Sequence, residues 1–338
     1  MQRIYGARQM LIRLGKENRG RERMKATLKW TKTLENPIYM GIYPQIDRYE
    51  ESHCYISDGW GSFFPSMKLR KISLETGDEI ASFRVKNGTR CVYQTKEKLF
   101  VTSDNKIFVL DRATLSLEKK MEKNILKNAD YVELDDKGRL LLMNCGGNYL
   151  MVLDYLQEKA QKKKVAHSCS GIHKRSSDKY LIMDPYGGEI ICYDLEKNTH
   201  RTFIKDRTFS GSALVNDETA YLRGGVIVDR QGAEIIEPTS GFRVISLRTK
   251  ECVEEFEVPV EFDLFFLSND KEKLFLLKHN KFFVFSLTQK CITDQYVFDD
   301  NSSTKEWLMA ASFIEGRENI LLCYNHENKK LFCYSLMM

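Results

Sequence analysis

The chain has 338 residues, of which 42% are hydrophobic and 29% charged, the balance of a folded globular protein with a sizeable core; extensive disorder is excluded. Its formal net charge of +5 is confined to one end: of the 52 basic and 47 acidic side chains, seven and two fall in residues 1–23, so that from Met24 onward the two signs balance. A neutral body argues against a nucleic-acid partner, because domains of that kind carry a basic excess, and no run approaches the ~18 consecutive apolar residues of a membrane-spanning helix.

The basic leader, residues 1–23, is compositionally unlike the rest of the chain. It could be a basic arm that tethers the chain to a membrane surface or nucleic acid, or a disordered tail. We read Met24 as the natural start, because Gly15 to Arg23 has the purine-rich coding of a translated bacterial ribosome-binding site. No continuous apolar stretch makes it a secretory signal. With nine cysteines, an odd count and no CxxC pair, neither a disulfide framework nor a zinc ribbon is indicated. Cys91, Cys192, Cys323 and Cys333 sit at apolar strand positions, and reduced buried thiols in a cytoplasmic protein are the expectation.

From Ala26 to Leu34 runs a strand-like segment with no adjacent partner. Then one unit recurs: an apolar-polar strand, an Asp or Ser, usually a Leu, a short polar turn and a second, more polar strand. The Asp or Ser anchors are Ser73, Asp111, Asp154, Asp194, Ser246, Ser286 and Ser335. They are spaced by about 44 residues on average, within the ~40–45 of four-stranded propeller blades. Two further strand signals precede each anchor, as in Arg90–Tyr93 and Lys98–Val101, separated by turn chemistry such as Asp135-Asp136-Lys137-Gly138. Each period therefore holds four strands, the innermost two being the more uniformly apolar. After Leu336 only Met337 and Met338 remain, so the seventh unit lacks an outer strand. The spacing predicts an all-β fold, a single seven-bladed β-propeller over residues 24–338. The segment 26–34 is expected beside 330–336, closing the ring and covering an otherwise exposed sheet edge.

The turn Ser73-Leu74-Glu75-Thr76-Gly77-Asp78-Glu79-Ile80 resembles the hairpin of WD40-like, YVTN and quinoprotein-type propeller repeats. The resemblance extends over nearly all of residues 24–338 and implies fold only. The Trp-Asp and Gly-His signatures of WD40 repeats are absent, as are the tryptophan-docking repeats of quinoprotein dehydrogenases.

In such a ring, the loops joining second to third strands and successive blades share one rim, where function is expected. In blade 1 that rim carries Ser57 to Ser66, with Trp60, Phe63 and Phe64 in a glycine-rich loop suited to anchoring a partner. The alternative is that the two phenylalanines fold back over the blade. Blade 5 carries an insertion from Arg223 to Gly241, expected to form an extra hairpin turning at Asp229 to Gly232. It serves as a lid or as an ornament. Asp58, Asn144, His167, Asp184 and Tyr186 are polar candidates on the same rim, each also an ordinary turn residue. His167, Cys169 and His173 alternate, but in one strand the two imidazoles would stand roughly 20 Å apart, too far for one ion. No metal or other cofactor is expected.

Two functional classes stay open. The first is a non-enzymatic, monomeric module of bacterial origin holding a protein or peptide, without nucleic acid or membrane. The second is a hydrolase- or lactonase-type enzyme or a small-ligand receptor, using Asp58, His167, Asp184 and Asp229 at the channel mouth. Standard catalytic motifs are missing, which leaves open sites assembled from single residues of different blades.

Overall fold

A computed structural model describes residues 25–38, 44–59, 67–85, 88–123, 125–298, 307–316, 319–325 and 328–337. They form seven four-stranded antiparallel sheets. Blades 1 to 6 span residues 45–84, 91–121, 131–164, 171–205, 209–257 and 264–297, each in sequence order; blade 7 comprises 307–337 plus the N-terminal strand Lys25–Thr33. The first strands of blades 2 to 5 contact one another in succession, and that of blade 1 meets that of blade 7. First strands thus surround the axis, while fourth strands face out.

The apolar pattern follows from this stacking. Alternate residues of a strand point to opposite faces, and a propeller blade has a neighbour on each face. In the second strand of blade 2, Leu99 and Val101 enter the core shared with blade 1, whereas Phe100 enters the core shared with blade 3. Such strands need apolar residues at consecutive positions, as Lys98–Thr102 and Ile107–Asp111 show. The most buried pair in each blade, the extension in blade 5 apart, is therefore the second and third strands. This corrects the expectation that the innermost two would be the most apolar: the first strand borders the channel and is only half-buried, as in Leu264–Leu267. Fourth strands such as Lys159–Lys164 have no buried residue: four positions are exposed and Ala160 and Lys163 are half-buried.

The recurrent Asp or Ser has a local explanation. In blades 1 to 6 it ends the third strand, and its side-chain oxygen accepts backbone N–H groups of the following turn: Ser73 from Glu75 and Thr76, Asp111 from Thr114, Asp154 from Leu156 and Gln157, Ser286 from Gln289. Four residues past the anchor the chain enters the left-handed region in six blades, at Gly77, Leu115, Glu158, Asn198, Lys250 and Lys290. A type I turn followed by a left-handed residue closes hairpins of this length. The anchor satisfies N–H groups that the turn strips of ladder partners.

The ring closes through Lys25–Thr33, antiparallel to Lys330–Met337 from Thr33 opposite Lys330 to Ala26 opposite Leu336, with a bulge between Leu28 and Trp30. Seven apolar clusters occupy the seven blade interfaces among the described residues. The one between blades 7 and 1 joins Trp30 and Leu34 to Cys54, Ile72, Leu322 and Cys333. Trp30 also reaches the first blade's turn: its Nε1 donates to Leu74 O at 2.8 Å. Its ring lies so close to Gly77 that a Cβ there would stand 2.8 Å away. Lys32 Nζ donates to Gly77 O at 2.9 Å, and Lys29 pairs with Glu75 at 2.7 Å.

Trp30→Ala should cost about 3–5 kcal/mol through the lost burial and cavity. Gly77→Ala should be destabilising too, because φ is +77° and the new methyl meets the indole. Denaturant midpoints check both; a midpoint unchanged for Trp30→Ala would show that the N-terminal strand is not what holds the ring shut.

Candidate functional site

The loop rim carries most of the residues singled out from sequence. Trp60, Phe63 and Phe64 lie outside the described residues, as does the leader 1–23. Asp58 is fully buried: its Oδ2 accepts Asn36 N at 3.3 Å and Arg70 Nη2 at 3.4 Å, and Arg70 also pairs with Glu79 and Glu35. It fastens the segment after the N-terminal strand to blade 1 and offers nothing to solvent.

His167 and Asp184, 17 residues apart, come together. Asp184 ends the second strand of blade 4, fully buried, and its carboxylate gathers the loop entering the blade and the turn within it. Oδ2 accepts His167 N at 2.5 Å and lies 3.1 Å from His167 Nδ1; Oδ1 accepts Ser168 N at 3.1 Å and Gly187 N at 2.8 Å. Gly187 is required here, since a Cβ would stand 2.6 Å from Asp184 Oδ2 and 2.7 Å from His167 Nδ1. His167 itself is exposed, and its Nε2 has no hydrogen-bond partner among the described residues. Tyr186, at the tip of the same turn, is 62% exposed.

Glu189 brings a third ligand-type atom, within 4.8 Å of those of His167 and Asp184. It faces Asp184 across the hairpin turn and was not among the residues singled out from the sequence. Asp184 already accepts three backbone N–H groups beside the imidazole, however, and Glu189 accepts Thr202 Oγ1 at 2.5 Å. The two carboxylates of this trio are thus satisfied by the protein, as befits a clamp on two loops.

The insertion in blade 5 is an extra hairpin. The second strand, Thr219–Arg230, and the third, Ala233–Ser246, stay paired from Gly225 opposite Pro238 to Arg230 opposite Ala233. Gln231 and Gly232 both have positive φ, the two-residue turn whose twist suits a hairpin, and Asp229 Oδ1 accepts Gly232 N at 2.8 Å. Val226 and Ile227 are 50% and 55% exposed. At the base, buried Arg223 donates to Thr239 O and Phe262 O, both at 2.7 Å, with its guanidinium 4.0 Å above the Phe262 ring. The arm is thereby tied to the loop entering blade 6.

Blade 4's turn and blade 5's arm form one surface. Ser170 Oγ donates to Gly211 O at 2.8 Å and Gly225 N to Thr208 O at 2.6 Å; Gly211 has Pro185, and Gly225 has Ser210, close against it. Glycines at these crossings let one loop rest on the next. The Asp229 arm and the His167, Asp184 and Tyr186 group are therefore neighbours, while Asp58 belongs to blade 1.

A second polar network, on the opposite face, was not found by sequence reasoning. Asp47, fully buried between the first two strands of blade 1, accepts His53 Nε2 at 2.8 Å, Tyr55 OH at 2.7 Å and Arg112 Nη1 at 2.6 Å. Its Oδ1 accepts Tyr49 N and Glu50 N. Burial alone would raise the carboxyl pKa; the bonds from His53, Tyr55, Tyr49 and Arg112 outweigh it and hold Asp47 far below the usual range. Arg112 is 65 residues away on blade 2, so only the fold reveals the pair.

His173, in the first strand of blade 4, has its pKa pushed down by burial to about 4 from 6.5. The unfolded chain then binds a proton more readily, so His173 lets stability stand in full above about pH 6.5 and removes it as pH falls towards 4. Asp47 behaves as a depressed acid, its contribution being lost below about pH 4. His173→Gln should flatten the first limb of a pH–stability curve, leaving the second. Asp184→Ala should lower the stability by about 1–3 kcal/mol, through three orphaned N–H groups, and raise hydrogen exchange at His167, Ser168 and Gly187. Unchanged protection there would remove Asp184 from its clamping role.

No protein-family model matches the sequence, and no curated protein does. Among solved structures, the WD40 domain of Pan2 from Neurospora crassa aligns with a TM-score of 0.66 at 10% identity, covering 92% of this chain and 95% of that one. No helix among the described residues is long and apolar enough to cross a membrane. With seven four-stranded blades closed by the N-terminal strand, the chain has the fold of a WD40-like β-propeller.

Proposed function

We propose that the chain is a non-enzymatic interaction module that holds a protein or peptide on the loop rim of blades 4 and 5. The observation that carries this reading is the exposure of Tyr186, Val226 and Ile227 on loops tied together by Ser170, Gly211 and Gly225. Large apolar side chains grouped on a fixed, protruding element suit partner burial. The arm adds a second means of attachment. Its third strand pairs with the outer strand only from Gly241 onward, so 233–238 has the hairpin as its sole ladder partner among the described residues. An extended peptide can add to such an edge by backbone hydrogen bonds. WD40-like propellers generally serve as interaction modules, in keeping with this reading. The aromatic segment with Trp60, Phe63 and Phe64 belongs to the same proposal, as do a monomeric state and a cytoplasmic setting.

The test uses the full chain, with a photo-crosslinking residue at Ile227 or, as control, at exposed Val253 on the outer strand of the same blade. A partner should be captured from Ile227 alone, and Tyr186→Ala with Val226→Asp should abolish capture without moving the thermal midpoint. Equal capture from both positions would sink the assignment. So would capture that the double variant leaves intact.

A further inference from the structure

We propose that the channel mouth on the face opposite the arm is a binding site for a small carboxylate with an apolar body. A cavity of about 310 Å³ opens there, between the first strands of blades 1, 6 and 7 and the end of that of blade 2. Ligand pockets run from ~300 to ~1,000 Å³, so the space suits a small molecule.

The wall is divided by chemistry. Ile46, Leu264 and Phe266 supply an apolar side, with Phe266 held by the Phe313 ring at 6.0 Å. The polar side is made of Gln45, Arg48, Gln94 and Ser312, and three of these bring open donors to the region: the Arg48 guanidinium, the Gln45 amide and the Ser312 hydroxyl. Among the described residues none of these groups donates a hydrogen bond, and Arg48 makes no ion pair. The amide oxygen of Gln45, by contrast, is taken, accepting Gln94 Nε2 at 3.3 Å.

Gln94 fixes the stretch that presents these donors. Buried at the end of blade 2's first strand, it accepts Arg48 N at 3.0 Å through Oε1 and donates to Ile46 O at 3.2 Å. Asp47, the intervening residue, is locked in its own network. The backbone on both sides of Arg48 is thus held before any ligand arrives, which lowers the ordering cost of binding. Besides Asp47, which is taken up by Arg112, Glu133 also acts on Arg48; it takes the Tyr93 hydroxyl at 3.3 Å and stands beyond ion-pair distance from Arg48. A planar guanidinium with open donors matches a carboxylate, which it can grip through two parallel bonds. The apolar wall requires that the rest of the molecule be hydrocarbon.

The proposal stands apart from the rim, and calorimetry with 4-phenylbutyrate on the full chain tests it. Saturable binding with one site per chain is expected, weaker by about tenfold or more for the neutral 4-phenylbutan-1-ol, which cannot form the charge-assisted pair. Arg48→Gln should weaken the acid by a similar factor and leave the alcohol unchanged, and Ser312→Ala should weaken it less. Val226→Asp on the rim should have no effect. Absence of saturable binding, equal affinity for acid and alcohol, or an Arg48→Gln variant that binds the acid as wild type would each overturn the proposal.

Discussion

The structure depends on one strand pairing with another about 300 residues away in the chain. Blade 7 makes three strands of its own, and the pairing of Lys25–Thr33 with Lys330–Met337 completes it. Backbone pairing alone would be marginal at the edge of a sheet. Trp30 binds it to a second element, filling the core between blades 7 and 1 and donating to Leu74 of blade 1. Because every blade is buried on both faces, loss of this interface would expose two apolar faces at once and leave a free edge. Farther along, Ile38 N donates to Tyr324 OH at 2.9 Å, so the connection into blade 1 is also tied to blade 7.

The repeat is kept by turn chemistry more than by any signature dipeptide. In blades 1 to 6 the third strand stops at an oxygen-bearing side chain that caps the turn, and the left-handed residue comes four positions later whether it is Gly77 or Lys250. Non-glycine residues in that conformation cost roughly 1 kcal/mol or more each. Buried or bonded side chains offset this in several blades: Leu115 is buried, Asn198 accepts Tyr193 OH at 2.7 Å and Lys290 lies over Phe256. Blades can therefore diverge in sequence while keeping one hairpin geometry.

The two ends of the channel are built differently. On the rim with the arm, Asp184 and Arg223 work from below, holding loops whose exposed residues are apolar. On the other face, buried Asp47 and Gln94 hold a short segment whose side chains are hydrogen-bond donors. In both places a buried polar group held by several hydrogen bonds fixes the backbone, and the neighbouring residue is left to face solvent. Such bonding is what makes these groups tolerable inside a low-dielectric interior.

How far sequence reaches is set by the range of the interactions involved. Blade number, the four-strand unit and the blade 5 hairpin were legible, because each is written in residues a few positions apart: alternating polarity, a capping Asp or Ser, a turn at Asp229 to Gly232; the terminal latch followed from counting, the last unit being one strand short and the first segment having no neighbour. Of the rim candidates, His167, Asp184, Tyr186 and Asp229 stand in one sector, but nothing local to Asp58 tells that Arg70 and the Asn36 backbone enclose it. Arg112 on Asp47 and the donor-lined cavity at Arg48 were likewise out of reach. The sequence by itself determined the strands, their count and the closed ring, since those follow from periodicity and turn stereochemistry. Tertiary structure alone decided which polar groups meet across blades, because adjacent blades bring together residues some 40 or more positions apart, and no short pattern encodes such a distance.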